Sequence, residues 1–154
     1  MKEEQKIVHI YLDACCLNRP FDDQTQDRIR LESEAVLLIL SRAEAGQIEL
    51  VASEALDFEI MQNPDPERRM RVSLMTATAR QTVSIGRAEE ERALQLETLG
   101  FRAYDALHIA CAESGGADVL LTTDDRMIQL AFRTISHLRV RVENPLTWLQ
   151  IGGE

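Results

Sequence analysis

Near its start the chain runs Ile7-Val8-His9-Ile10-Tyr11-Leu12, almost continuously apolar and rich in β-branched side chains, and stops on a charge at Asp13. A strand with one wet face alternates polar and apolar residues, whereas a run without alternation marks a strand covered on both faces. Helices on either side of a mainly parallel sheet provide that cover, so this segment alone points to an α/β fold. The carboxylate at its end sharpens the constraint. Ligands of such sheets sit outside the carboxyl ends of the strands.

The remaining pattern fits alternating strands and helices. Asn18 to Gln26, with Pro20, Asp22 and Asp23, reads as a loop. A helical repeat runs from about Arg28 to Ala45 and stops at Gly46, and Ile48–Ala52 reads as a second strand. Ser53 suits the N-cap of a helix carrying Leu56 and Ile60, and Pro66 opens another helix reaching to about Arg80. A short strand is expected near 82–85, followed by helices over about 88–99 and 103–113, the latter closed by Gly115-Gly116. Val119–Thr123 and Leu138–Val142 read as strands, and Asp125–Phe132 as a short helix. No repeat, low-complexity stretch or linker interrupts the 154 residues, which are expected to form one domain with its core over about 7–148.

Four acids then acquire positions. Asp13 and Asp124 each follow a strand, Glu59 lies in the helix after the second strand, and Asp105 falls in the first turn of a helix. Taken singly, Asp105 favours a helix dipole, Asp124 suits the cap of the helix starting at Asp125, and Glu59 is one surface acid among 26. Asp13 is different, because a charge ending a doubly buried strand needs a reason. Should the four converge, their repulsion calls for a cation, and a hard divalent ion such as Mg²⁺ or Mn²⁺ suits oxygen ligands.

Charge bears on the choice of partner. The formal net charge is −9, which opposes nucleic-acid binding by bulk basicity and leaves a bound metal as the local device able to offset repulsion. Of 17 basic residues only Lys2 and Lys6 are lysines, which removes Schiff-base chemistry and a Walker lysine. Cys15, Cys16 and Cys111 form an odd set without metal-ligand or CxxC spacing, so a reduced, cytoplasmic setting is expected. No apolar stretch approaches a membrane span, and the acidic, polar start is not that of a signal peptide.

Tyr11-Leu12-Asp13, Ser53 with Glu59, Tyr104-Asp105-Ala106-Leu107-His108-Ile109-Ala110 and Leu121-Thr122-Thr123-Asp124 resemble the successive motifs of PIN domains, from about Ile7 to Trp148. The resemblance implies a single PIN-like α/β domain, a parallel sheet flanked by helices, with a pocket of acids that binds Mg²⁺ or Mn²⁺ and cleaves RNA phosphodiesters. Many small bacterial members resemble VapC-type toxins, held by a cognate antitoxin protein and often homodimeric. Two departures stand out. Ala14, Cys15 and Cys16 follow Asp13 where many relatives place a hydroxyl or amide, and Arg126 stands where an aspartate two residues after Asp124 is frequent.

The expected site is therefore Asp13, Asp105 and Asp124 as primary metal ligands, with Glu59 as the fourth acid and the candidate for orienting the attacking water. His108, one helical turn from Asp105, invites a role as metal ligand or base, with a satisfied structural histidine the favoured reading; His9 is expected in the core and His137 at the surface. Arg19 and Arg126 are candidates for phosphate contact, while Arg68, Arg69 and Arg71 read as a solvated face. Aromatics make up 5% of the chain, too few for an extended stacking surface. The run from Val36 to Leu40 suits a core face or part of a dimer interface. A phosphatase-type site is disfavoured, since Cys15 occupies the place of a second aspartate and no late lysine follows. The alternative to a nuclease is a PIN-like RNA-binding or regulatory scaffold with little or no activity.

Overall fold

In a computed structural model, described over residues 6–152, five strands form one all-parallel sheet in the order β3-β2-β1-β4-β5. In chain order the elements are β1 (Val8–Leu12), α1 (Ala14–Asn18), α2 (Asp27–Glu44), β2 (Ile48–Ser53), α3 (Glu54–Met61) and α4 (Pro66–Met75). They continue with β3 (Gln81–Val83), α5 (Arg87–Thr98), α6 (Ala103–Ser114), β4 (Val119–Leu121), α7 (Asp125–Arg133), β5 (Arg141–Glu143) and α8 (Pro145–Gln150). β1 is central, pairing Ile10 with Leu50 on one side and with Val119 on the other. Ile10, Tyr11 and Leu12 are 0–3% exposed, as an unalternating apolar run requires.

The topology decides where a ligand belongs. From β1 the chain builds outward through β2 and β3, then crosses back to place β4 on the opposite side of β1. The carboxyl ends of β1 and β4 therefore flank the point where strand order reverses, the usual crevice of an open parallel sheet. Asp13 N–H donates to the Leu121 carbonyl at 3.0 Å, tying the two strand ends together there. Asp13 and Asp124 leave the sheet from these two ends.

Local chemistry explains most element boundaries. Ser53 Oγ accepts from Leu56 N–H at 3.0 Å and caps α3, while Asp65 accepts from Glu67 and Arg68 ahead of Pro66 to start α4. At the end of α6, a Cβ on Gly115 would lie 2.5 Å from Val51 Cγ1 and 2.9 Å from Val83 Cγ2. Glycine there lets the helix end pack directly on β2 and β3.

Several expected boundaries move. α4 ends at Met75 and tightens into a 3₁₀ turn over Thr76–Thr78, where Thr76 and Thr78 hydroxyls bond back to carbonyls three residues earlier. The fourth strand stops at Leu121 because Thr122 turns its hydroxyl toward Asp13. The last strand starts at Arg141, since Ile135–His137 forms a 3₁₀ turn and Arg139 N–H is held by Glu113. The loop expected over Asn18 to Gln26 contains a 3₁₀ turn, Arg19–Phe21. α8 was outside the expected pattern. Asn144 caps it, Pro145 fills its first position, and Trp148, 0% exposed, anchors it in the core.

His9 corrects an expectation. Its side chain is 37% exposed and pairs with Glu49 at 2.9 Å rather than entering the core. It lies toward the amino end of β1, where helix cover is incomplete. Leu37 and Leu38 are 47% and 44% exposed while Val36 and Ile39 are fully buried, so that run contributes to the core through one face only. Cys16 and Cys111 are buried, and burial pushes the Cys111 thiol up to about 11, an inert packing residue. Among the described residues no helix is long and apolar enough to cross a membrane.

Candidate metal centre

Asp13 ends β1 and starts α1, so its carboxylate is pinned at the sheet edge. Oδ1 accepts from Ala14 N–H at 2.8 Å and Oδ2 accepts from the Thr122 hydroxyl at 3.0 Å. The residue is 7% exposed. The Thr122 contact resolves the first departure noted above. The hydroxyl lacking after Asp13 is supplied from the far side of the sheet edge, and Cys15 Sγ packs 3.2 Å from the same hydroxyl.

Asp124 serves two purposes. Its Oδ1 accepts from Arg126 and Met127 N–H at 3.0 and 3.3 Å, so the capping reading is correct. A carboxylate has two oxygens, and among the described residues no donor reaches Oδ2. Asp105 lies in the first turn of α6, partly buried, with no hydrogen bond or ion pair to its side chain among the described residues. Burial and the neighbouring charges of Asp13 and Asp124 push its carboxyl up to about 6. That mutual repulsion shows that three of the four acids share one field.

Glu59 approaches from α3. Its Oε2 lies 2.7 Å from His108 Nε2, and the ring's Nδ1 lies 2.6 Å from the Tyr11 hydroxyl, itself 2.7 Å from Ser53 Oγ. A buried relay thus runs Ser53–Tyr11–His108–Glu59. Burial alone would lower the His108 pKa, but the bond to Glu59 and the charges of Asp13, Glu59 and Asp105 outweigh it and raise it. One ligand atom from each of Asp13, Glu59 and His108 falls within 4.8 Å of the others. His108 is structural in being buried and fully bonded, yet it is also part of the site. Its place one helical turn after Asp105 is the sequence signal for the second role, although the structural reading is the one the sequence favours.

The donor set fits a hard divalent cation. Asp13, Glu59 and His108 offer ligand atoms close together, Asp124 and Asp13 are near enough for their charges to act on Asp105, and no lysine or arginine forms an ion pair with any of the four acids among the described residues. The expected phosphate contacts fare differently. Arg19 is turned inward, with Nη1 3.0 Å from Asp22 and Nε 3.0 Å from Glu32. Arg126 is exposed near Asp124 and its side chain has no partner among the described residues. Asp125 points away from the site into a two-point pair with Arg28, both contacts 2.7 Å. Arg68, Arg69 and Arg71 are tied to Asp22, the Asn63 carbonyl and Glu67.

A parallel sheet with carboxylates gathered at its reversal point defines a class, the α/β proteins that carry an acidic pocket at the switch point. The chain belongs within it to the PIN domain family, a family of nucleases, whose model matches residues 10–133. Two solved structures are similar in fold. PAE2754 from Pyrobaculum aerophilum superposes with a TM-score of 0.57 at 13% identity, covering 98% of this chain and 95% of its own. VapBC2 from Rickettsia felis, bound to a DNA fragment from its promoter, gives 0.52 at 13% identity, covering 89% and 98%. No curated protein matches the chain in sequence at a significant level.

Proposed function

We propose that this chain is a Mg²⁺- or Mn²⁺-dependent endoribonuclease, acting as the toxin of a type II toxin–antitoxin pair. The observation that carries the reading is the set Asp13, Asp105 and Asp124 at the sheet edge, where burial first, and then the charges of Asp13 and Asp124, push the Asp105 carboxyl up to about 6. Asp13, Asp105 and Asp124 would hold the metal, with Glu59 beside it. A divalent ion bound there supplies activation of water and stabilisation of charge at the phosphate. The protein's part is positional. Thr122 fixes Asp13, the start of α7 fixes Asp124, and His108 fixes Glu59, which would orient the attacking water.

Charge supports the same reading. Two divalent ions would offset four of the nine net negative charges, so the acidic pocket becomes the place where a phosphate is attracted. The likeness to a protein solved as VapBC2 supports an antitoxin partner for this chain as well. A homodimer, common among the proteins it resembles, is part of the proposal, as is a single domain spanning residues 1–154.

The test is cleavage of mixed cellular RNA by purified protein with Mg²⁺, Mn²⁺ or EDTA, beside Asp105→Asn. Metal-dependent cleavage lost in the variant is expected. Cleavage in EDTA, or equal activity in the variant, overturns the mechanism. Intact RNA under every condition favours the scaffold reading.

A further inference from the structure

Two aromatic rings stand beside the carboxylates. Phe58 immediately precedes Glu59 in α3, and Tyr104 immediately precedes Asp105 in α6. The rings are nearly parallel, 13° apart in tilt and 6.4 Å between centroids, an offset stack. They are 53% and 50% exposed, whereas Tyr11, Phe101 and Trp148 are buried; Phe132, on α7, is 76% exposed but stacks on no other ring among the described residues. Apolar ring surface held in water is unfavourable unless something covers it. Arg102 is exposed two residues before Tyr104, its guanidinium has no hydrogen-bond or ion-pair partner among the described residues, and it is near enough for its charge to act on Asp105.

We propose that Phe58 and Tyr104 form a stacking platform for a nucleobase of single-stranded RNA next to the cleaved phosphodiester, with Arg102 on the adjoining backbone. The inference rests on the ribonuclease reading and names what the site selects, an unpaired nucleotide. A flat ring pair accepts any base by its π-face, and an arginine beside it matches a phosphate. A base stacked on the rings leaves Glu59, 41% exposed, and Asp105 open toward the reacting phosphate. The small share of aromatic residues thus understates their use, because two of the few stand at the one place where a base must lie.

The test is steady-state cleavage of a short single-stranded RNA by wild type, Phe58→Ala, Tyr104→Ala and Tyr104→Phe. A second substrate carries an abasic nucleotide beside the cleaved bond. Each alanine variant is expected to raise KM by ~5-fold or more with kcat little changed, the stacking loss of one base. Tyr104→Phe, which keeps the ring, restores KM. On the abasic RNA, wild type and alanine variants converge. Sedimentation and thermal melts of each variant accompany the kinetics. Unchanged KM in folded alanine variants overturns the platform while leaving the ribonuclease reading intact. A shift in oligomeric state with unchanged KM assigns the rings to a protein interface and also overturns it. Wild type that cleaves no RNA removes both readings together.

Discussion

In α2, Glu32 is only 1% exposed, yet Arg19 and Arg28 reach its two oxygens at 3.0 and 3.3 Å and Asn144 donates to it as well. At the carboxyl edge of the sheet, Asp13 is nearly as buried and shares its field with Asp105, Asp124 and Glu59, but no arginine or lysine pairs with any of them among the described residues. Both clusters pose the same electrostatic problem. The first carries its own cations and staples the Arg19–Phe21 turn, α2 and the start of α8 into one body. The second is left short of positive charge, apart from His108. A chain that neutralises one buried carboxylate so completely is able to do so. Leaving the other set uncompensated therefore marks it as a site for an external cation.

The largest effect that separates the clusters is on activity. Asp13→Asn should lower metal-dependent RNA cleavage on the order of 100-fold or more, because it weakens charge stabilisation at the reacting phosphate. Glu32→Gln, in the self-neutralised cluster, should leave kcat within a few-fold, and initial rates of both variants check the contrast.

On stability the order reverses. Glu32→Ala leaves Arg19 and Arg28 without their buried partner and should cost ~3–5 kcal/mol, read as a lower midpoint in urea unfolding. Asp105→Asn should do the opposite without metal. The Asp105 pKa is raised in the folded state to about 6, so its ionised form opposes folding. That penalty is absent below the unfolded value near 3.8 and complete above about 6. The variant should therefore be more stable than wild type at pH 7 by ~1–2 kcal/mol, allowing for solvent screening, and equal to it below pH 4. Urea midpoints at pH 3.5 and 7 in EDTA measure the crossover.

A comparably modest effect is expected at Thr122→Val, which removes the hydroxyl from Asp13 and from the Asp124 amide. A loss of ~1–3 kcal/mol should appear in unfolding, and metal affinity should fall ~10-fold as Asp13 loses its fixed orientation. An unchanged affinity would mean that α1 alone positions Asp13.

The fold was largely legible because burial on both faces writes itself into β1 and β2 as unalternating apolar runs, while Ser53, Pro66 and Gly115 mark helix ends by local chemistry. The short elements were not. α1 is five residues long and rests on Asp13 as its cap, a signal indistinguishable from a catalytic acid. α8 is six residues long and held by burial of Trp148, a tertiary effect that no local pattern reports. The four acids stand out at strand and helix ends, and the structure brings three of them into a common field. Their supports did not stand out. His108 meets Glu59 across 49 positions and Thr122 meets Asp13 across 109, so neither contact leaves a periodic trace. Arg19 looked available for phosphate because its partner Glu32, 13 residues on, reads as one more polar residue on a helix.

The central claim is that the sheet-edge acids await a cation that the Glu32 cluster does not need. Calorimetric titration of metal-free protein with Mn²⁺ tests it most directly, using wild type, Asp105→Asn and Glu32→Gln. Wild type and Glu32→Gln should bind with similar affinity, and Asp105→Asn at least ~10-fold more weakly. Absence of binding by folded wild type, or equal binding by Asp105→Asn, would contradict the account.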